Sequence, residues 1–120
     1  MSKVHPEAFV EWVTTGDVVL GTGGTVNGPA AQANTRNFVT LCSASFSAAT
    51  ATSVGTIVIN FGATNTFKFQ VPIATIGLYL NLTWTKAVRC DINFQPTVVL
   101  AGFTAGPTVS INLGGYKVRE

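Results

Sequence analysis

From Leu78 to Thr85 the chain reads LYLNLTWT, and its two faces never mix. Leu78, Leu80, Leu82 and Trp84 fall on one side of an extended backbone, with Tyr79, Asn81, Thr83 and Thr85 on the other. A helix would scatter these residues around its circumference, whereas successive side chains of a strand point to opposite faces. A period of two therefore marks a strand buried on one face only. The same period recurs beyond Arg36. Phe38, Cys42, Ala44 and Phe46 alternate with Val39, Leu41, Ser43 and Ser45, and Ile57, Ile59 and Phe61 with Val58 and Asn60. Phe67, Phe69 and Val71 oppose Lys68 and Gln70, and Val88, Cys90, Ile92 and Phe94 oppose Arg89, Asp91 and Asn93. Val109, Ile111 and Leu113 do so against Ser110 and Asn112.

Turn-forming residues divide these segments: Gly62-Ala63-Thr64-Asn65, Pro72, Gly77, Gln95-Pro96, Gly102, Gly106-Pro107 and Gly114-Gly115. Seven to nine short strands at hairpin-like spacing result, with no convincing internal helix. The expectation is an all-β chain, a single antiparallel β-sandwich of jelly-roll type over residues 36–120. At 120 residues the chain has room for one independent core and no second one.

Residues 1–35 read differently. Phe9, Trp12 and Val13 fit helical spacing, and Pro6 would suit a first helical turn. Read as a strand, Phe9 and Val13 share a side with Glu11. The segment is expected to be an extended N-terminal arm that orders on a neighbour, or else a first strand of the domain's own core. From Gly21 to Arg36 the run GTGGTVNGPAAQANTR has the composition of a flexible connection. Its Gly21-x-Gly23 pair lacks the third glycine of a dinucleotide-binding loop, because Val26 stands there.

Composition narrows function. Seventeen Thr and 15 Val accompany a charged fraction of only 10%, against about 25% in ordinary domains. Seven basic and five acidic residues are spread singly, so no basic patch exists to neutralise phosphates, and nucleic acid is not an expected partner. No window approaches the ~20 apolar residues of a membrane-spanning helix, and the first residues lack the apolar stretch of a secretion leader. The chain is thus expected to be made and kept, or assembled, in a cytoplasm. A soluble monomer generally carries more surface charge than this. Much of the exterior is expected to be covered by other subunits.

Catalytic chemistry finds no foothold. The one histidine, His5, precedes a proline near the start and has no orienting carboxylate in view. Of the carboxylates Glu7, Glu11, Asp17, Asp91 and Glu120, only Glu7 and Glu11 are close in sequence, and they read as a solvated face. Asp91 is expected in an ordinary surface pair beside Arg89. No metal-ligand cluster and no cofactor motif stand out, so no enzyme is expected. Cys42 and Cys90 both fall on inward registers and would bridge only in an oxidising compartment; reduced, buried thiols are expected. Asn81-Leu82-Thr83 fits a glycosylation acceptor, which has no meaning without secretion. The candidate interface residues are Phe9, Trp12, Val13, Val26 and Tyr79.

The run RNFVTLCSASFSAATATSVGTIVINFG, followed by FKFQVP, LYLNLTWT and a closing hairpin PTVSINLGGYKV, resembles small virion proteins of tailed bacteriophages. It is most similar to head decoration, or cement, proteins with a jelly-roll or related sandwich. The resemblance is compositional and architectural, covers about two-thirds of the chain, and transfers no individual residue. It implies a structural protein on the capsid surface, assembled in the bacterial host cytoplasm, with the major capsid protein as partner. Self-association, as a ring or trimer, is expected with it. The alternative is a carbohydrate- or receptor-binding module of a tail or fibre appendage, using Tyr79, Asn81 and polar loop tips. Removing residues 2–13 is expected to leave the sandwich folded and weaken lattice binding.

Overall fold

The computed structural model describes residues 9–19, 23–46, 55–71, 79–101 and 108–119, and those residues form strands and connections with no helix among them. The strands are β1 (Phe9–Val19), β2 (Gly24–Asn27), β3 (Thr35–Phe46), β4 (Gly55–Asn60), β5 (Thr66–Val71), β6 (Tyr79–Ile92), β7 (Thr97–Ala101) and β8 (Thr108–Arg119). They make two four-stranded sheets, ordered β1-β8-β3-β6 and β2-β7-β4-β5. Every pairing is antiparallel.

The core lies where the apolar sides of both sheets meet. Val18, Val39, Cys42, Ala44, Phe46, Cys90, Val109, Ile111 and Leu113 come from the first sheet, and Val26, Ile57, Ile59, Val98 and Leu100 from the second. Phe61, just beyond β4, closes one end. Fully burying an aliphatic side chain stabilises by about 1.5–3 kcal/mol, so this layer is the main reason the sheets stay together. The period of two anticipates Ile57, Ile59, Val109, Ile111 and Leu113 as core residues, and all five are buried.

Alternation fails at one structural device. Val39 pairs with Gly115 and Leu41 with Gly114, so Thr40 is an extra residue on β3. A bulge of this kind shifts the parity of everything beyond it. Thr35, Asn37 and Val39 are buried before the bulge, and Cys42, Ala44 and Phe46 after it. Phe38 therefore does not share a face with Cys42. It lies on the outer face opposite Tyr116, and the two rings stack at 5.1 Å with planes 12° apart.

Strand β6 is irregular at the same level. Two steps along β3, from Val39 to Leu41, correspond to five along β6, from Val88 to Thr83. The segments around Leu82 and Cys90 are thus one strand with an excursion between them. Trp84, in that excursion, meets Phe61 and Phe67 edge-on at 5.9 and 6.2 Å. A second shift lies between Arg36 and Phe38. It turns Ile92, expected inside with Cys90, out to 42% exposure.

Two further expectations change, and the open choice for residues 9–19 falls to a strand of the domain. Gly114-Gly115 is not a hairpin turn but the middle of β8, which runs unbroken for 12 residues. A Cβ on Gly115 would collide with the Phe38 carbonyl, so the residue is glycine because the bulged β3 backbone approaches it. The run from Gly21 to Arg36 contains β2, which pairs with β7. Residues 9–19 are the edge strand of the first sheet, with eleven consecutive pairs to β8. Both strands belong to the sandwich, so removing residues 2–13 would strip the first half of β1 and its Trp12 contact with the core. Residues 1–8 lie outside the described residues.

Candidate interaction surface

Strand β1 presents two faces. Trp12, Thr14, Gly16 and Val18 turn towards the second sheet, and Val18 is buried. Gly16 and Val26 fit together across the layers: a Cβ on Gly16 would stand 2.9 Å from Val26 Cγ2. Val26 is thus a core residue at 6% exposure and contributes no side chain to an exterior interface, a correction to its expected role. Glu11, Val13, Thr15, Asp17 and Val19 point the other way and are exposed. Val13 reaches 67% exposure and Val19 51%. Val10, near the strand's start, is also exposed.

The remaining candidates divide by position. Trp12 is half-buried against the core, and its indole Nε1 finds no hydrogen-bond partner among the described residues. Phe9 begins β1 opposite Val118, and Tyr79 begins β6 opposite Ser45. Their side chains, like His5 and Glu7, lie outside the described residues. Asn81 is exposed and accepts a hydrogen bond from Thr83 Oγ1 at 3.3 Å. The structure therefore brings Trp12 and Val13 together on one edge and leaves Val26 inside.

A groove lies beside Gly115 where β1, β3 and β8 adjoin. It has a volume of about 260 Å³ and is lined by Glu11, Trp12, Val13, Thr40, Leu41, Gly115 and Tyr116. The alternation in sequence gave no hint of it, since neither a bulge nor a mid-strand glycine pair has a period-two signature.

Ionisable groups serve the frame. Asp91 is turned towards the β4–β5 turn: its Oδ2 accepts from the Ala63 N–H at 3.0 Å, and its backbone N–H donates to the Phe61 carbonyl at 2.9 Å. Gly62 makes room for that carboxylate. This replaces the surface pairing with Arg89 expected from sequence. Asp17 accepts from Ser110 Oγ at 3.0 Å, and the Arg36 guanidinium donates to the Cys90 carbonyl at 2.7 Å. Cys42 and Cys90 are buried free thiols. Burial pushes Cys42 up to about 11. Burial, then the neighbouring Asp91 charge, pushes Cys90 to about 12 against a smaller opposing effect of Arg36. Thiols held neutral in this way are poor nucleophiles. Among the described residues no three His, Cys, Asp or Glu side chains converge as a metal site would require.

Fold and surface together define an all-β, two-sheet protein with a strand edge of exposed valines and carboxylates beside a groove. No family model matches the chain, and no curated protein matches it either.

Proposed function

We propose that this protein is a non-enzymatic structural component of a bacteriophage virion, a decoration protein that binds the capsid lattice and stabilises it. The observation that carries the reading is the β1 edge: eleven residues in unbroken register, paired on one side only among the described strands, with Val10, Val13 and Val19 exposed. A long, regular edge with exposed valines invites association, and soluble proteins ordinarily blunt such edges. Low surface charge points the same way.

Strand order supports a jelly roll. Successive strands cross between the sheets except β4 and β5, which form a hairpin within one, giving β1, β3, β6 and β8 on one side and β2, β4, β5 and β7 on the other. Two Greek keys wound together produce that order, an architecture shared by viral coat and lectin domains. The step from architecture to virion is analogy. Physically, a lattice binder acts by mass action, favouring the assembled state, and many weak contacts on a symmetric shell add up. The partner is the major capsid protein, and the site is the capsid surface, reached in the host cytoplasm.

The groove beside Tyr116 favours a second reading, a carbohydrate-binding appendage module. Glu11 and Thr40 would supply polar contacts there and Tyr116 an aromatic wall. Co-sedimentation of the purified protein with undecorated capsids, paired with a glycan array, separates the two. Saturable capsid binding with a silent array is expected. Array hits that Tyr116→Ala abolishes, without capsid binding, would replace the lattice reading with the carbohydrate one.

A further inference from the structure

Four strands edge the two sheets, and three of them are unsuited to adding a neighbour. Strand β2 has four residues and β5 six, the latter carrying Lys68 on its outer face. Strand β6 is long, but two register shifts break it, and Lys86 and Arg89 are exposed along it. Short edges, irregularities and charged side chains are the usual obstacles to edge-to-edge pairing. Strand β1 is long and free of register shifts across its eleven pairs, and the only charges on its outer face are the carboxylates Glu11 and Asp17.

We infer that β1 pairs antiparallel with β1 of a second copy of this chain, across a two-fold axis passing beside Val13. Self-pairing needs only the patch already present on each copy, which is the economy of an isologous contact. The charges select the register. Full overlap, centred on Thr14, would set Glu11 opposite Asp17 twice, and like charges placed opposite each other destabilise a strand pair. Centring on Thr15 would face Val13 with a carboxylate. Centring on Val13 sets Val13 against Val13, Glu11 against Thr15, Trp12 against Thr14 and Val10 against Gly16. This register unites the most exposed valine with its own copy, sets no carboxylate directly opposite another, and overlaps nine residues, against seven when the strands are centred on Gly16 with Val13 facing Val19. The first sheets of the two copies then become one continuous eight-stranded sheet, a two-fold arrangement in place of the ring or trimer that the resemblance implies. The pairing does not depend on what the assembly binds.

The test uses the full chain. Light scattering over a hundredfold concentration range is expected to give a species of twice the chain mass. Val13→Cys, oxidised with a glutathione buffer, is expected to form a disulfide-linked dimer, whereas Thr15→Cys is not, because residue 15 faces residue 11. Wild-type protein is the control for the two buried native thiols. Val13→Lys is expected to shift the protein to monomer with its circular dichroism unchanged. A wild-type monomer at all concentrations, a trimer or ring, a folded Val13→Lys dimer, or equal cross-linking at positions 13 and 15 would each overturn the inference. Loss of capsid binding with the dimer intact would instead count against the decoration reading alone.

Discussion

Gly114 and Gly115 are adjacent in β8, and replacing each by alanine asks the structure two different questions. At Gly115 the new methyl would overlap the Phe38 carbonyl and lie 3.0 Å from Val39 Cα. Both obstacles are backbone, held by pairing to β8 on one side and β6 on the other, and Val39 is fully buried. Relief requires β3 to move at its bulge, which would pull Val39 away from the core. Overpacking that forces backbone shifts costs typically 1–3 kcal/mol and sometimes more, and the absence of any flexible neighbour places Gly115→Ala near the top, about 3 kcal/mol. At Gly114 the methyl would meet Leu41 Cγ at 3.1 Å and its Cδ atoms at 3.3 and 3.4 Å, the end of a half-buried side chain that is able to rotate. Replacing a strand glycine also recovers roughly 0.5–1 kcal/mol of backbone entropy, so Gly114→Ala is expected within about 1 kcal/mol of the native protein.

Urea unfolding followed by tryptophan fluorescence measures both, with unchanged slopes required for a valid comparison. Gly115→Ala is also expected to lower Tm by roughly 10 °C. Equal losses at the two positions, or a Gly115→Ala variant as stable as the native chain, would refute the idea that close backbone approach at the bulge dictates the glycine.

The buried thiols give a pH prediction: with both folded values above the ordinary 9.0, stability is flat below pH 9 and falls as pH rises towards 11 and 12, because the unfolded chain loses its thiol protons first. Denaturant midpoints from pH 7 to 10.5 check the sign, and a Cys42→Ala, Cys90→Ala double variant should lose much of that slope. In the native state at pH 8 neither thiol is expected to react with a disulfide reagent, while both react in denaturant, which counting released chromophore settles. Asp91→Ala removes the acceptor for the Ala63 N–H and should cost about 1 kcal/mol; Asp91→Asn, which keeps an acceptor, should cost less in the same unfolding assay. Leu113→Ala empties a fully buried position and is expected to cost about 2–5 kcal/mol by denaturation.

Much of the architecture was legible in the chain. Wherever a strand is regular, as along Ile57 to Phe61 and Val109 to Leu113, burial on one face forces a period of two, and the sequence displays it. The turn at Gly62–Asn65 was equally readable, and its backbone closes as expected, with the Phe61 N–H donating to the Asn65 carbonyl at 2.9 Å. Strand β2 escaped notice because four residues of mixed polarity carry too little pattern. Part of the surface was not legible at all: Val26 looked like a loop valine and is core, and Ile92 looked like core and is exposed. Val13 stands out in the sequence by its helical spacing with Phe9 and Trp12, yet it is exposed on a strand, on the face opposite Trp12.

Local chemistry along the chain, repeated apolar and hydroxyl-bearing residues with few charges, determined that the protein is built of strands and that one side of each is dry. Those properties depend only on neighbours one or two residues away. Which strands adjoin, where β3 gains a residue, why glycine stands at 115, and that β1 is left as a long open edge were decided by the tertiary structure. Each of these depends on a partner many tens of residues distant, and a pattern of period two is silent about the identity of the strand lying across from it.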